Sequence, residues 1–161
     1  MDKINVLFVC LGNICRSPLA EGIFSQLIKE KGLSDKINVD SAGTANYHIG
    51  ERPDPRTIEN AAQNGVSLPS RARQFTSDDF EQFDYILPMD ESNLYNIERL
   101  ESSGSIKDYE IIKMRYFDPK AKNADVPDPY YGGPKGFQDV FDILDRSNRE
   151  FLEYLVKTHN L

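Results

Sequence analysis

Val6 to Val9 form an unbroken apolar run, followed at once by Cys10-Leu11-Gly12-Asn13-Ile14-Cys15-Arg16-Ser17-Pro18 and then by helical periodicity. A strand that is apolar throughout is covered on both faces, as strands of parallel sheets are. From Pro18 to Lys31, Leu19, Ile23, Leu27 and Ile28 recur at the spacing of one helix face. Ser17 is placed to cap that helix, Pro18 suits its first position and Gly32 its end. A buried strand joined to a helix by a short polar loop commits the chain to an α/β arrangement.

The remaining pattern agrees. Asn38 to Ala42 reads as a second strand, and Asp54-Pro55 opens a helix running to about Gly65. Thr76 or Ser77 can cap a short helix through Phe83. Tyr85 to Met89 reads as a third strand with Pro88 near its end, Ser92 to about Glu101 as a helix, and Ile111 to Tyr116 as a fourth strand. Phe137, Val140, Phe141, Leu144, Phe151 and Leu155 make the apolar stripe of a long final helix. Strands alternating with helices predict a four-stranded parallel sheet with helices on both faces, Rossmann-like, in which the loop after the first strand is the first place to seek a ligand. The 161 residues, 1–161, are expected to form one domain. The stretch from Phe117 to Gly136 lacks periodicity, and a connection that long is often functional.

The first loop suits a phosphoryl group. Its peripheral oxygens need several donors, which the amides of Leu11, Gly12, Asn13, Ile14 and Cys15 can supply together with the helix start at Arg16 and Ser17. Gly12 and Asn13 tolerate the left-handed backbone angles that inward-pointing amides require. Arg16 can donate two parallel N–H bonds to two phosphate oxygens. Cys10, facing these donors from the strand end, is placed for in-line attack on phosphorus as a thiolate, giving a phosphocysteine that water later cleaves. Ser17 can hydrogen-bond the sulfur. A lone cysteine at a strand end is ordinarily a small buried residue; here Gly, Asn, Arg, Ser and Pro all fall where an anion cradle needs them.

With Val39-Asp40-Ser41-Ala42, Ile86 to Asn93 and Asp128-Pro129-Tyr130-Tyr131 in the same order downstream, the Cys10–Pro18 segment resembles the phosphate loop of low-molecular-weight protein tyrosine phosphatases. The resemblance implies removal of phosphate from phosphotyrosine, and from aryl phosphates, without a metal or other cofactor. It implies Cys10 as nucleophile, Arg16 as clamp and Asp128 as general acid, an assignment that 26 carboxylates alone would not single out. It makes Tyr47, Tyr130 and Tyr131 walls of the substrate cleft, with Ser41 and Asp90 supporting the loop from behind and Ser41 bonding Asn13. Asp125 is the rival acid but lacks the following Pro-Tyr-Tyr. Cys15 is either a buried residue of the loop or, as the resemblance favours, a partner in a reversible disulfide with Cys10. His48 and His159 are read as an exposed loop residue and a frayed terminal one.

Composition closes off other readings. A net charge of -7 argues against nucleic-acid binding, and no run approaches the ~20 apolar residues of a membrane helix. Without an export signal the cytoplasm is the expected location. Two cysteines five apart and two histidines do not make a zinc site. Thiol-dependent arsenate reductases share the loop but need further cysteines, and none follows Cys15. Protein-arginine phosphatases resemble this sequence too, yet tend to carry Thr where Ile14 stands. A non-catalytic phosphotyrosine-binding module would need neither Cys10 nor Asp128, and a metal-dependent phosphatase would need clustered ligands. The expected partners are a phosphotyrosine-containing protein or peptide and inorganic phosphate as product. The chain is expected to be a monomer, with weak dimerisation left open.

Overall fold

β1 (Ile4–Cys10) divides its side chains between two cores, and this alternation organises the molecule. Val6, Phe8 and Cys10 face one side, with Ile23, Phe24 and Leu27 of α1 (Arg16–Glu30) and Leu144, Phe151 and Leu155 of α5 (Gly133–His159). Leu7 and Val9 face the other, with Phe75, Phe80 of α3 (Asp79–Gln82) and Ile97 of α4 (Glu91–Glu98). Phe8, Phe24 and Phe151 meet with ring centroids 5.2 to 6.5 Å apart. Each such buried side chain contributes about 1.5–3 kcal/mol. The computed structural model describes residues 2–102 and 107–161.

The sheet is four-stranded and parallel, in the order β2-β1-β3-β4, with β2 at Ile37–Gly43, β3 at Tyr85–Pro88 and β4 at Glu110–Ile111. The register of β1 on β2 runs from Ile4 opposite Ile37 to Cys10 opposite Gly43. Successive connections leave β1 first to one side and then to the other. The carboxyl ends of β1 and β3 therefore flank the switch in strand order, where open α/β sheets hold their ligands.

Four expectations need correction. α3 is preceded at its cap position by Asp78, with no side-chain cap bond, and not by Thr76 or Ser77. The fourth strand, read over Ile111 to Tyr116, keeps only Ile111 of that span; Met114–Phe117 is a 3-10 turn. The last rung is the bond from the Ile112 amide to the Ile86 carbonyl (3.0 Å). Met114 and Phe117 are both buried, three apart, which is the period of a 3-10 turn rather than a strand. α1 begins at Arg16, with Cys15 at its cap position and no side-chain cap, so Ser17 and Pro18 lie inside its first turn. His159 is not frayed: it is the last residue of α5, and its Nε2 lies 2.8 Å from the Tyr85 hydroxyl.

Candidate active site

At the end of β1 the chain turns through residues 11–15 into α1, and the geometry of that turn follows from two residues. Asn13 has φ 57, the left-handed conformation that asparagine tolerates. Gly12 keeps an ordinary φ; a Cβ there would lie 3.1 Å from His48 Cδ2, so the position is glycine for space. No hydrogen bond among the described residues uses the amides of Gly12, Asn13, Ile14 or Cys15. Four donors at the start of a helix thus remain for an anion.

The side chain of Asn13 pins the loop to three other segments. Its Nδ2 donates to Ser17 Oγ (2.8 Å) and Ser41 Oγ (3.0 Å), and its Oδ1 accepts from the Arg73 amide (3.0 Å). Ser41, on β2, in turn donates to Glu21 Oε1 (2.5 Å), leaving its oxygen free to accept from Asn13. Burial pushes the Glu21 carboxyl up, against the bonds from Ser41 and Ser70. Ser17 Oγ lies 3.0 Å from Cys10 Sγ and 3.4 Å from the Ala42 carbonyl, so with Asn13 donating to the hydroxyl oxygen its proton has two acceptors, of which the sulfur is the nearer. Cys10 is 3% exposed.

Arg16 is buried and anchored. Its Nη1 donates to Asp90 Oδ2 (2.8 Å) and to the Val126 carbonyl (3.0 Å), leaving the rest of the guanidinium for a ligand. Asp90 sits at the N-cap of α4, where its Oδ1 accepts from the Asn93 amide (2.8 Å) while the Asn93 side chain accepts from the Asp90 amide (3.2 Å). That reciprocal cap fixes the carboxylate that holds the arginine. Burial opposes the charge of Arg16, but Cys10, Asp90 and Asp128 outweigh it and raise its pKa above the ordinary arginine value.

Cys10, Leu11, Gly12, Ile14, Cys15 and Arg16 line one narrow cleft of about 90 Å³ together with Tyr47, His48, Asp128, Pro129 and Tyr130. Larger clefts, of about 630 Å³ along α1 and about 320 Å³ between α2 (Pro55–Gln63) and the start of α5, contain neither Cys10 nor Arg16. Asp128 precedes the 3-10 turn Pro129–Tyr131, and its Oδ1 accepts from the Tyr130 amide (2.9 Å). Cys15 Sγ donates to the Tyr130 hydroxyl (3.3 Å), which donates to Asp54 Oδ2 (3.2 Å). Burial pushes the Cys15 thiol up to about 11, so it is a neutral thiol near pH 7. Both cysteines are free. Among the described residues no group of three or more His, Cys, Asp or Glu is arranged to hold a metal ion, and no helix is long and apolar enough to cross a membrane.

An amide-lined loop, a buried cysteine, an anchored arginine and an aspartate facing them from a distant turn agree with a match along the chain. The sequence model of the low molecular weight phosphotyrosine protein phosphatase family covers residues 5–161. The chain belongs to that family. A Schizosaccharomyces pombe protein named low molecular weight phosphotyrosine protein phosphatase is 44% identical over 94% of this chain and 96% of its own length. The human protein of that name is 43% identical over 92% of this chain and 94% of its own. A solved protein tyrosine phosphatase from Entamoeba histolytica, with Hepes in its active site, aligns with a TM-score of 0.89 at 40% identity, covering 99% of this chain and 100% of that one.

In this low molecular weight phosphatase the three tyrosines expected at the rim are placed differently. Tyr47 and Tyr130 line the cleft, whereas Tyr131 is 92% exposed and does not. His48, expected as a solvent residue, lines the cleft beside Gly12, with Nδ1 paired to Glu51 (2.9 Å). Sequence reasoning missed four supports: Glu21 behind Ser41, the Arg73 amide on Asn13, Asp54 under Tyr130, and the Val126 carbonyl on Arg16. Asp54 carries a signal in the Asp-Pro pair, but that pair by itself indicates only a helix start. A main-chain carbonyl or amide has no signature in sequence.

Proposed function

We propose that this chain is a protein tyrosine phosphatase that transfers phosphate from a phosphotyrosine side chain to Cys10 and then to water. The amides of residues 12–15 and the free edge of Arg16 hold the phosphoryl oxygens, with Cys10 Sγ behind phosphorus. A bond from sulfur to phosphorus forms as the bond from phosphorus to the tyrosyl oxygen breaks, and Asp128 gives its proton to that oxygen. In the second step water attacks phosphorus, the carboxylate of Asp128 takes its proton, and the thiolate departs with the Ser17 hydroxyl donating to it. Tyr47 and Tyr130 flank the ring of the substrate. No step needs a metal or a cofactor, since nucleophile, clamp and acid are all supplied by the chain. The observation that carries this reading is that Cys10 lines one cleft with Arg16 and Asp128 while the buried Ser17 hydroxyl lies 3.0 Å from its Sγ. The enzyme works on phosphoproteins as a single-domain monomer in the cytoplasm, releases inorganic phosphate, and does not bind nucleic acid, in keeping with its charge of -7.

The test is hydrolysis of an aryl phosphate and a phosphotyrosine peptide in the presence of a chelator. Cys10→Ser is expected to abolish turnover while vanadate still binds; Asp128→Asn is expected to lower it by about 10²–10⁴-fold. Acid-quenched protein should carry the phosphoryl label on Cys10. Turnover by Cys10→Ser, or a label elsewhere, rejects the mechanism.

A further inference from the structure

Asp125, the carboxylate closest in sequence to Asp128, has a different occupation. Its Oδ1 lies 2.8 Å from Lys113 Nζ and accepts from the Glu91 amide at 3.1 Å. Lys113, only 7% exposed, follows β4 at the cap position of the 3-10 turn. An ammonium has three N–H donors, and each of these meets an acceptor: Asp125, Glu91 Oε1 (2.9 Å) and the Asn123 carbonyl (3.1 Å). Burying a lysine is unfavourable unless its charge is met, so this side chain fixes where Asn123 and Asp125 lie.

The neighbouring backbone is bound as firmly. Asn123 takes φ 67, and its amide donates to the Arg115 carbonyl at 2.7 Å. Arg115 Nη1 donates to the Asp125 carbonyl at 2.8 Å. The Val126 amide donates to the Met89 carbonyl at 2.8 Å, and its carbonyl accepts from Arg16 at 3.0 Å. Two residues further on comes Asp128. The ammonium of Lys113 is the charged centre of this anchorage, and it grips the same α4 terminus, Asp90-Glu91, that holds the phosphate clamp.

We propose that Lys113 is a positioning residue for Asp128, its ion pair with Asp125 securing the upstream end of the loop that presents the acid to the leaving oxygen. This rests on the reading of Asp128 as general acid. Without the ammonium, Asp125 and Glu91 repel each other and, among the described residues, Glu91's amide becomes the one remaining tie on the Asp125 side chain. The loop then keeps its main-chain ties to Arg115, Met89 and Arg16 but loses the charged anchor at Asn123 and Asp125, so the approach of Asp128 to the cleft loosens, while the Cys10 loop, held by Asn13, stays as it was.

The experiment compares kcat/KM for phenyl phosphate, whose leaving group needs a proton, with p-nitrophenyl phosphate, whose leaving group does not. Lys113→Met should lose about tenfold on phenyl phosphate, part of the 10²–10⁴-fold a placed acid contributes, and less than about twofold on p-nitrophenyl phosphate. Its vanadate affinity should not change. Asp125→Asn, nearly isosteric and still able to accept from the Glu91 amide, should shift in the same direction and carries the test alone if Lys113→Met does not fold by circular dichroism. Equal losses on both substrates, or none, overturn the proposal when Asp128→Asn shows the leaving-group selectivity. If Asp128→Asn shows no selectivity, the acid assignment itself falls.

Discussion

Ser17→Ala isolates one interaction in the second chemical step. Ser17 is fully buried, its Oγ 3.0 Å from Cys10 Sγ, and Asn13 Nδ2 donates to the same oxygen at 2.8 Å. Alanine removes the donor to the sulfur but leaves Asn13 bonded to Ser41 and to the Arg73 amide, so the loop keeps its course. A hydrogen bond to a charged group is worth about 1.5–3 kcal/mol, or roughly ten- to a hundredfold in rate. That loss should appear where sulfur departs as a thiolate, in hydrolysis of the phosphocysteine. In rapid-quench experiments with p-nitrophenyl phosphate, Ser17→Ala should therefore show a near-stoichiometric burst of nitrophenol followed by a slowed steady state, with more phosphoenzyme trapped by acid than in the wild type. Thermal unfolding should shift only modestly, since the hydroxyl is one of three partners of Asn13. An unchanged steady-state rate, or a fall in rate with loss of the burst, would refute the role assigned to this hydroxyl.

Three further outcomes are expected. At pH 7 iodoacetamide should alkylate Cys10 and spare Cys15, whose thiol burial raises to about 11; peptide mass spectrometry reads the site, and prior labelling of Cys15 would contradict the geometry. Gly43→Ala places a Cβ 2.6 Å from the Leu11 carbonyl, so the phosphate loop must move; kcat/KM should fall at least about tenfold, with a stability loss of about 1–3 kcal/mol by urea titration. Burial alone would raise the Asp118 carboxyl, but Arg146, the Lys120 amide and Arg115 hold it at about 2, below the ordinary 3.8. A folded-state pKa below the unfolded one stabilises above that range, so about 2 kcal/mol should vanish as pH falls from 4 to 2, and Asp118→Asn should abolish that slope.

The catalytic loop was legible because its residues are contiguous: one strand end, one turn and one helix start carry Cys10, Arg16 and Ser17, although distant side chains and carbonyls fix their final positions. Asp128 was legible through the Pro-Tyr-Tyr that follows it and the family order, not through any local force. What lay hidden depends on contacts far apart in sequence. Glu21 and Ser41 are twenty residues apart, and Arg16 meets a carbonyl 110 residues away. Ser17 fits a helix cap by type and place, but of its two expected tasks the structure keeps the bond to sulfur and not the cap. The fourth strand was overextended because Ile112, Met114 and Tyr116 alternate with Lys113 and Arg115, a strand's period, whereas the packing that decides the turn buries Met114 with Phe117, three apart.

The arginine anchored on Asp90 and Val126 and the loop pinned by Asn13 are both held by the chain's own side chains and carbonyls. A receptor assembled in advance recognises the tetrahedral dianion rather than the ester carrying it. Free orthophosphate should then compete with substrate for the same seat, and accumulating product would throttle turnover without any separate regulatory site.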